Sequence, residues 1–366
     1  MTGPHSLGVI GDIQAICNRL AQHSRGVDRA DEGLLADCYH ADATVDYRFY
    51  GGSAKVFAGI LAGAQAGQSV TLHRTGQMWI AVDGTKAKSE SYVVAYAQSA
   101  DPDGTMRQRL ICGRYLDRHE KRGGAWRLSH RTYVLDTNAN WPGEFHSPAL
   151  GQLTNQVPGG GQGPRDAGIA LLALAKARNV AINGGRAAVT PIIDPDAADA
   201  IISRQQIADL TMAYCRGVDR ADEPLLRGIF HDDSVIVSGI VNGNGQTFAG
   251  EICRFVQATF EQTFHSIANQ WIEVTGDTAV GETYILAVAT THGTGDGQSE
   301  MLSGGRYIDR FERREGIWKI AERIYVEDWH RVDRATRQMA GGMYAPLDLH
   351  GCRGQNDPVY AFWAGQ

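Results

Sequence analysis

The sequence predicts an α+β fold in which one domain is written twice. Three observations indicate this class. The heptad RGVDRAD occurs at 25–31 and again at 216–222, other landmarks recur at an almost constant separation, and each copy begins with helical periodicity and ends in alternating strands. Because the helices precede antiparallel strands, we expect a bent sheet that wraps around the helices in each copy.

The first predicted element of each copy is an amphipathic helix, since apolar residues recur at spacings of three or four. They are Ile10, Ile13, Ile16 and Leu20 in the first copy and Ile207, Leu210 and Tyr214 in the second. Gly26 and Gly217 are placed to end these helices. A second short helix is predicted after each heptad, from EGLLADCYH and EPLLRGIFH.

Strands follow in each copy. SYVVAYAQ, RLICGRYLDRHE and WRLSHRTYVLD alternate in character, and Gly123-Gly124 and Glu315-Gly316 are predicted hairpin turns. The two copies agree best in this last hairpin, where Trp126 and Trp318 correspond and are predicted to lie in the core.

The predicted domains are residues 1–150 (copy 1), a connector over 151–195, and residues 196–366 (copy 2 with a C-terminal tail). A chain of 366 residues is long enough to bury two cores. The connector is rich in Gly and Pro around an apolar piece, IALLALAKARN, for which a short helix is predicted.

Composition excludes several classes of partner. The net charge is −6 and no run of Lys or Arg lies beside aromatic residues, which argues against nucleic acid. No apolar run of about 18 residues and no basic leader occur, so we expect a cytoplasmic protein without membrane contact.

No cofactor is expected. The six cysteines form no CxxC pair and no zinc-site spacing, so they are predicted to be reduced and mostly buried. No glycine-rich phosphate loop follows a strand, and the histidines singled out below have no second ligand at a suitable spacing. We therefore predict chemistry without a metal or an organic cofactor.

Each copy offers an acid, an imidazole and a guanidinium that could serve proton transfer. An aspartate bonded to one imidazole nitrogen fixes the tautomer and makes the other nitrogen a better base, and an arginine can hold an oxyanion. The sets are Asp28, His73 and Arg131 in copy 1 and Asp219, His265 and Arg323 in copy 2.

Structural alternatives stay open at this stage. Asp28 could cap the second short helix, His73 could be a hydrogen-bonded structural residue, and Arg131 and Arg323 could lie on a solvated or ion-paired strand face. His40 and His231 also recur, but they fall at the predicted end of the short helix, and we take them as structural or surface residues.

The chain resembles the SnoaL-like family of the nuclear transport factor 2-like superfamily. The resemblance lies in GVDRAD after a helix, in a histidine ahead of a Trp-containing segment, and in the closing GGRYIDRFERREGIWKIAERIYVEDW. It covers about residues 6–142 and 197–330. It implies two tandem cones, each a bent mixed sheet closed at one end by helices around an apolar pocket.

The resemblance also implies an activity. Members of this family include scytalone dehydratase, bile-acid dehydratase and hexachlorocyclohexane dehydrochlorinase. These enzymes catalyse elimination reactions without a cofactor and use a His/Asp dyad. The dyads implied here are His73 with Asp28 and His265 with Asp219, and Arg131 and Arg323 are the implied pocket arginines. The family's Tyr or Lys that assists the leaving group corresponds to Tyr214 in copy 2, whereas copy 1 departs with His23.

The resulting hypothesis is a cofactor-independent lyase of the dehydratase type that acts on an apolar cyclic or aromatic molecule. Loss of halide, retro-aldol loss of formaldehyde, isomerisation or cyclisation, and a binding or assembly role without catalysis are the alternatives. Because a tandem duplication holds two partners at high effective concentration, we also expect an intramolecular pseudo-dimer, with further homo-oligomers left open.

Overall fold

The computed structural model describes residues 6–66, 71–101, 103–142, 161–162 and 195–365. The connector predicted at 151–195, including its helix, lies outside the described residues except for 161–162 and Pro195. The predicted domain boundaries at 150 and 196 therefore stay predictions.

Copy 1 contains three helices and six strands in its described part. The helices are α1 (Leu7–Asp28), α2 (Glu32–Asp37) and α3 (Ala54–Gln65). The strands are β1 (Tyr39–Asp46), β2 (Gly51–Ser53), β3 (Leu72–Asp83), β4 (Lys86–Ala100), β5 (Met106–Arg122) and β6 (Ala125–Pro142).

Copy 2 repeats this order. The helices are α4 (Pro195–Arg220), α5 (Glu223–Ile229) and α6 (Gly245–Thr259), and a further helix α7 (Pro358–Ala364) follows near the C-terminus. The strands are β7 (Phe230–Val237), β8 (Asn242–Gly243), β9 (Phe260–Thr275), β10 (Thr278–Thr291), β11 (Ser299–Arg314) and β12 (Ile317–Arg334).

Each copy forms one six-stranded mixed sheet with the same topology. The strand orders are β2-β1-β6-β5-β4-β3 and β8-β7-β12-β11-β10-β9. The pairs β1–β6 and β7–β12 are parallel, and the other neighbours are antiparallel. The first helix of each copy packs on the sheet of that copy, so this is the predicted α+β class with two tandem copies.

The hairpin turns between the last two strands lie where the sequence predicts them. Gly123 and Gly124 have φ of 58° and 81°, and Glu315 and Gly316 have φ of 53° and 78°. Left-handed conformations at both central positions match the right-handed twist of the paired strands, which explains the glycines at these turns.

The prediction that Gly26 and Gly217 end the first helices is wrong. Helix α1 continues to Asp28 and α4 continues to Arg220. These glycines permit close packing instead, because a Cβ at Gly26 would lie 2.7 Å from Leu35 and one at Gly217 would lie 2.6 Å from Leu226. The first helix of each copy therefore lies directly against the short second helix.

The two copies contact each other through different surfaces. The face of the copy 1 sheet that carries Tyr92, Val94 and Cys112 packs on α4 and β9 of copy 2. Gln77 connects the two backbones, since its side-chain amide donates to the His265 carbonyl at 2.6 Å and its oxygen accepts from the Ile267 N–H at 2.6 Å. Tyr92 packs against Phe264 with ring centroids 5.2 Å apart.

The C-terminal segment 335–365 returns to copy 1. His350 forms a parallel bridge with Leu135, and the Gly351 N–H donates to the Leu135 carbonyl at 2.9 Å. Helix α7 adds Val359 and Phe362 to a buried cluster with residues of the copy 1 sheet. This tail, expected with copy 2, thus covers part of copy 1.

We propose that the two copies depend on each other for folding in solution. Expressed separately, residues 1–150 would expose Tyr92, Val94 and Cys112, which copy 2 buries in the whole chain. We expect this half to precipitate, or to associate with residues 196–366 when the two are expressed together. Size-exclusion chromatography of the halves checks this, and a stable monomeric 1–150 with an unchanged circular dichroism spectrum would contradict it.

Candidate active site

An aspartate at the end of the first helix meets a histidine at the start of the third strand in both copies. In copy 1, the Asp28 carboxylate lies 2.7 Å from His73 Nδ1 and accepts the His73 backbone N–H at 2.9 Å. In copy 2, the corresponding distances from Asp219 to His265 are 2.6 and 2.9 Å. The structure brings together both predicted Asp and His pairs.

The two bonds fix the position and the tautomer of each imidazole. A carboxylate only accepts hydrogen bonds, so Nδ1 carries a proton, and in the neutral form of the imidazole Nε2 is the nitrogen with the lone pair. The N-cap alternative for Asp28 is excluded, since Asp31 caps α2 and Asp222 caps α5 in copy 2. Each imidazole side chain is 18% exposed.

The carboxylates themselves are buried. Asp28 is 5% exposed and Asp219 is fully buried. Burial raises the pKa of Asp219, but the charge of His265 and its hydrogen bonds outweigh this effect and bring the pKa below its ordinary value. Asp219 is thus ionised at neutral pH and can stabilise an imidazolium on His265.

The predicted arginines form buried ion pairs with two aspartates that were not among the predicted site residues. Arg131 binds Asp117 through two bonds of 2.8 Å, and Arg323 binds Asp309 through two bonds of 2.7 Å. Both guanidinium groups are 1% exposed. The solvated-strand alternative is therefore excluded, while the ion-paired one holds in a buried form.

In copy 1, the polar groups around the arginine satisfy one another. Arg131 Nη1 donates to His23 Nδ1 at 3.0 Å, so His23 Nε2 carries the proton and donates to the Tyr39 hydroxyl at 2.9 Å. Burial, with the charges of Arg131 and His73, holds the pKa of His23 well below its ordinary value. His23 is thus a neutral imidazole with both nitrogens occupied.

Copy 2 differs at this point. Tyr214 replaces the imidazole, stacks on Phe248 and lies under Arg323, whose guanidinium carbon is 4.1 Å from the ring centre. Burial raises the pKa of Tyr214 to about 12 although Arg323 opposes the rise, so the phenol keeps its proton. Within the described residues, Arg323 Nη1 is buried and makes no hydrogen bond of normal geometry, although the guanidinium is close enough to the Tyr214 hydroxyl to lower the pKa of that phenol. In copy 1, the corresponding donor, Arg131 Nη1, binds His23. Arg323 Nη1 of copy 2 is therefore a buried donor without such a bond.

The surroundings of the two histidines also differ. A cavity of about 330 Å³ lies between α1 and β3 of copy 1, and its lining includes Asp28, His73 and Met78. On the corresponding side of copy 2, Cys215 and Ile267 are buried in a cluster that includes residues of the copy 1 sheet. That side of copy 2 is therefore covered by copy 1.

His40 and His231 lie on strands rather than at helix ends. Each is buried, and its Nε2–H donates to a backbone carbonyl, of Glu120 at 2.9 Å and of Glu312 at 3.0 Å. Their structural role is as predicted, while their position at the end of the short helix is wrong.

Among the side chains that the structure describes, no group of three or more His, Cys, Asp or Glu could hold a metal ion. All six cysteines are free thiols, and Cys17 and Cys352 are only partly buried. In the described part of the chain, no helix is both long and apolar enough to cross a bilayer.

The profile of the SnoaL-like domain matches this chain twice, at residues 9–132 and 199–324. These matches cover about two thirds of the chain. The chain belongs to the SnoaL-like family. The resemblance to the SnoaL-like family inferred from the sequence is confirmed, and the chain carries two SnoaL-like copies in tandem.

Individual relatives match a single SnoaL-like copy. Hexachlorocyclohexane dehydrochlorinase 1 of Sphingobium indicum is 28% identical over 127 residues, which are 34% of this chain and 80% of that protein. The structure of hexachlorocyclohexane dehydrochlorinase LinA-type3 from Novosphingobium barchaimii is 25% identical, with a TM-score of 0.33, over 36% of this chain and 90% of that one. A nuclear transport factor 2-like protein from Salmonella enterica is 20% identical, with a TM-score of 0.31, over 34% and 89%.

Proposed function

We propose that this SnoaL-like protein is a cofactor-independent lyase whose main active site lies in copy 2. The observations that support the proposal are the His265 imidazole, held by the buried Asp219 carboxylate, and the buried Arg323 of the same copy, whose Nη1 makes no hydrogen bond of normal geometry. A base and a donor for a leaving group are the two parts that an elimination needs.

The proposed step is a β-elimination. His265 Nε2 removes a proton from a substrate carbon, and the electrons of that C–H bond form a C=C bond as the bond to the leaving group on the adjacent carbon breaks. Arg323 Nη1 stabilises the negative charge on the departing atom, and the Tyr214 phenol supplies a proton when the leaving group is hydroxide. The proton on His265 then returns through solvent to the phenolate.

The side chains around Tyr214 in copy 2 are aromatic, which is the reason to expect an apolar cyclic or aromatic substrate. Tyr214, Phe230, Phe248 and Tyr307 form a contiguous group of rings in contact with one another. Flat or cyclic carbon skeletons pack well against aromatic faces. Charged substrates would lose hydration in this environment without a comparable set of partners.

Water is the leaving group that this arrangement supports best, because a protonated phenol can neutralise a departing hydroxide. Loss of chloride is the second candidate, and the identity of 28% to a hexachlorocyclohexane dehydrochlorinase favours it. A chloride ion needs no proton, so the two candidates predict different effects of Tyr214→Phe. Dehydration should slow, whereas dehydrochlorination should change little.

A substrate screen tests the proposal. Purified protein is incubated with cyclic β-hydroxy ketones, aromatic diols and chlorinated cyclohexanes, and the products are identified by mass spectrometry with His265→Ala as the control. Loss of water or HCl from one substrate class, absent in the control, supports the lyase. An isomer of unchanged mass would indicate an isomerase or cyclase, loss of formaldehyde a retro-aldol lyase, and binding without turnover a carrier.

Activity is expected to be independent of metal. The proposed step uses only side chains of the protein, so prolonged dialysis against a chelator should leave kcat unchanged. The comparison is the same protein dialysed without chelator. Activity that disappears on chelation and returns with zinc would contradict the proposal.

A further inference from the structure

The strand that carries His265 lies at the edge of the copy 2 sheet, with β10 as its one neighbour in that sheet. An edge strand presents N–H and C=O groups that no further strand of its sheet pairs. On β9, the His265 N–H donates to Asp219 at 2.9 Å, whereas the His265 carbonyl and the Ile267 N–H are bound by Gln77 of copy 1. The backbone of the proposed base is therefore held from both copies.

The Gln77 side-chain amide takes the place of a neighbouring strand. Its nitrogen donates to the His265 carbonyl and its oxygen accepts from the Ile267 N–H, each at 2.6 Å. A residue of a parallel strand would bond the same two groups, which lie two positions apart. Gln77 is 6% exposed, so water competes little for these bonds. The amide thus completes the pairing of β9 at the residue that carries the imidazole.

A β-bulge in copy 1 directs Gln77 toward copy 2. Gly76 and Gln77 lie at the register shift in the pairing of β3 with β4, and such bulges change the direction of a side chain. A Cβ at Gly76 would lie 2.8 Å from the Ile267 carbonyl oxygen. The glycine therefore permits the close approach of β3 to β9 that brings the Gln77 amide within reach.

The corresponding positions of copy 2 differ in chemistry. Ala268 and Asn269 also lie at a register shift, in the pairing of β9 with β10. Asn269 is exposed, whereas Gln77 is buried. The bulge is thus part of the repeat, while the glycine and the buried glutamine are particular to copy 1.

We propose that Gln77 of copy 1 is a positioning residue for His265 of copy 2. It fixes the backbone of β9 so that the His265 Nδ1–H stays on the Asp219 carboxylate and Nε2 keeps its direction. The effect of Gln77 on turnover rests on the proposed function, whereas its effect on the bond between His265 and Asp219 does not. Copy 1 therefore supplies a residue that the copy 2 site requires.

Two variants of the full chain perturb this contact by different means. Gln77→Met keeps an unbranched side chain of similar length but removes the donor and the acceptor. Gly76→Ala keeps the Gln77 amide but places a methyl group against the Ile267 carbonyl. Asn269→Met is the matched control, since it makes the same kind of change at the corresponding, exposed position of copy 2.

The first measurement is NMR of protein labelled with ¹⁵N-histidine, because the chemical shifts of the two ring nitrogens report which of them carries the proton. The signals are assigned from their loss in His265→Ala and His73→Ala. In the neutral form we expect the wild type to hold both imidazoles with the proton on Nδ1. In Gln77→Met and Gly76→Ala, the His265 nitrogens should shift toward a mixture of tautomers, while His73 keeps its shifts and Asn269→Met changes neither.

The second measurement is steady-state kinetics with a substrate that the wild type converts. We expect both copy 1 variants to lower kcat by about 10-fold with little change in KM, because a small displacement of a base slows the chemical step more than it weakens binding. In the His265→Ala background, Gln77→Met should cause no further loss, since Gln77 acts through His265. A merely structural role would add its loss in that background as well.

Three results would overturn the inference. They are His265 nitrogen shifts that stay as in the wild type in both copy 1 variants, shifts of His73 that change as much as those of His265, and a further loss of kcat when Gln77→Met is added to His265→Ala. Circular dichroism of each variant excludes misfolding. A wild type that converts no substrate would contradict the proposed function but not this inference, which the nitrogen shifts then decide alone.

Discussion

Substitution of His265 by alanine is expected to lower kcat by about 10²-fold or more, the usual effect of losing a general base. Asp219→Asn should have a similar effect, because an amide can donate to Nδ1 and so favour the tautomer in which Nε2 carries the proton. His73→Ala and Asp28→Asn should cost less with the same substrate. Steady-state kinetics of the four variants check the expectation.

We expect this asymmetry because the arginine and the side chain next to it differ between the two copies. Within the described residues of copy 2, Arg323 Nη1 makes no hydrogen bond of normal geometry and Tyr214 keeps its proton, whereas in copy 1 His23 uses the corresponding donor of Arg131. The four variants form two matched pairs, each checked by circular dichroism. Equal losses in both pairs would indicate two equivalent sites, and a larger loss in copy 1 would reverse the assignment.

Removal of the Asp357 carboxylate is expected to destabilise the protein by about 3–5 kcal/mol, the scale for breaking a buried ion pair. Asp357 is 1% exposed and binds Arg114 through bonds of 2.8 and 2.7 Å. It also lies 3.3 Å from Arg220 of copy 2. Asp357→Ala would leave two buried arginines with fewer partners at the contact between the copies.

Urea unfolding of Asp357→Ala and wild type at the same protein concentration measures this loss. Asp348→Ala is the control, since it lies on the same C-terminal segment and pairs with Arg48 at the surface. It should change the free energy of unfolding little. Equal stability of the Asp357 variant and this control would mean that the buried network is not required.

The same network predicts a dependence on pH. Burial raises the pKa of Asp357, but the charges of Arg114 and Arg220 outweigh it and hold the pKa well below its ordinary value. Because the pKa of Asp357 is lower in the folded than in the unfolded protein, its contribution to stability is complete above the unfolded pKa of about 3.9. This contribution declines as the pH falls below that value. The difference between wild type and Asp357→Ala should therefore shrink under strongly acidic conditions.

Much of the fold could be predicted because corresponding segments of the two copies show the same helical or strand pattern. The position of Asp28 after a helix and of His73 ahead of a Trp-containing segment was enough for the resemblance to pair them. Gly26 was misassigned because a glycine near a helix end indicates either a left-handed cap or a close approach. Only the packing partner, Leu35, distinguishes the two.

Other features of the site could not be predicted from the amino-acid sequence. Asp117 and Asp309 do recur, but the strand face on which they lie depends on a register that the sequence does not reveal. Gln77 corresponds to Asn269, so repetition does not single it out as the link to the His265 strand. Asp357 follows the repeated region and belongs spatially to copy 1, which could not be inferred from its place in the chain.

The most direct test of the central claim is a crystal structure of Asp219→Asn with a converted substrate bound. We predict that the substrate occupies copy 2, with the carbon that loses its proton about 3–3.5 Å from His265 Nε2, as near-attack geometry requires. Its leaving atom should lie within hydrogen-bond distance of Arg323 Nη1. Substrate bound only beside His73, or bound in copy 2 with neither group in contact, would contradict the account.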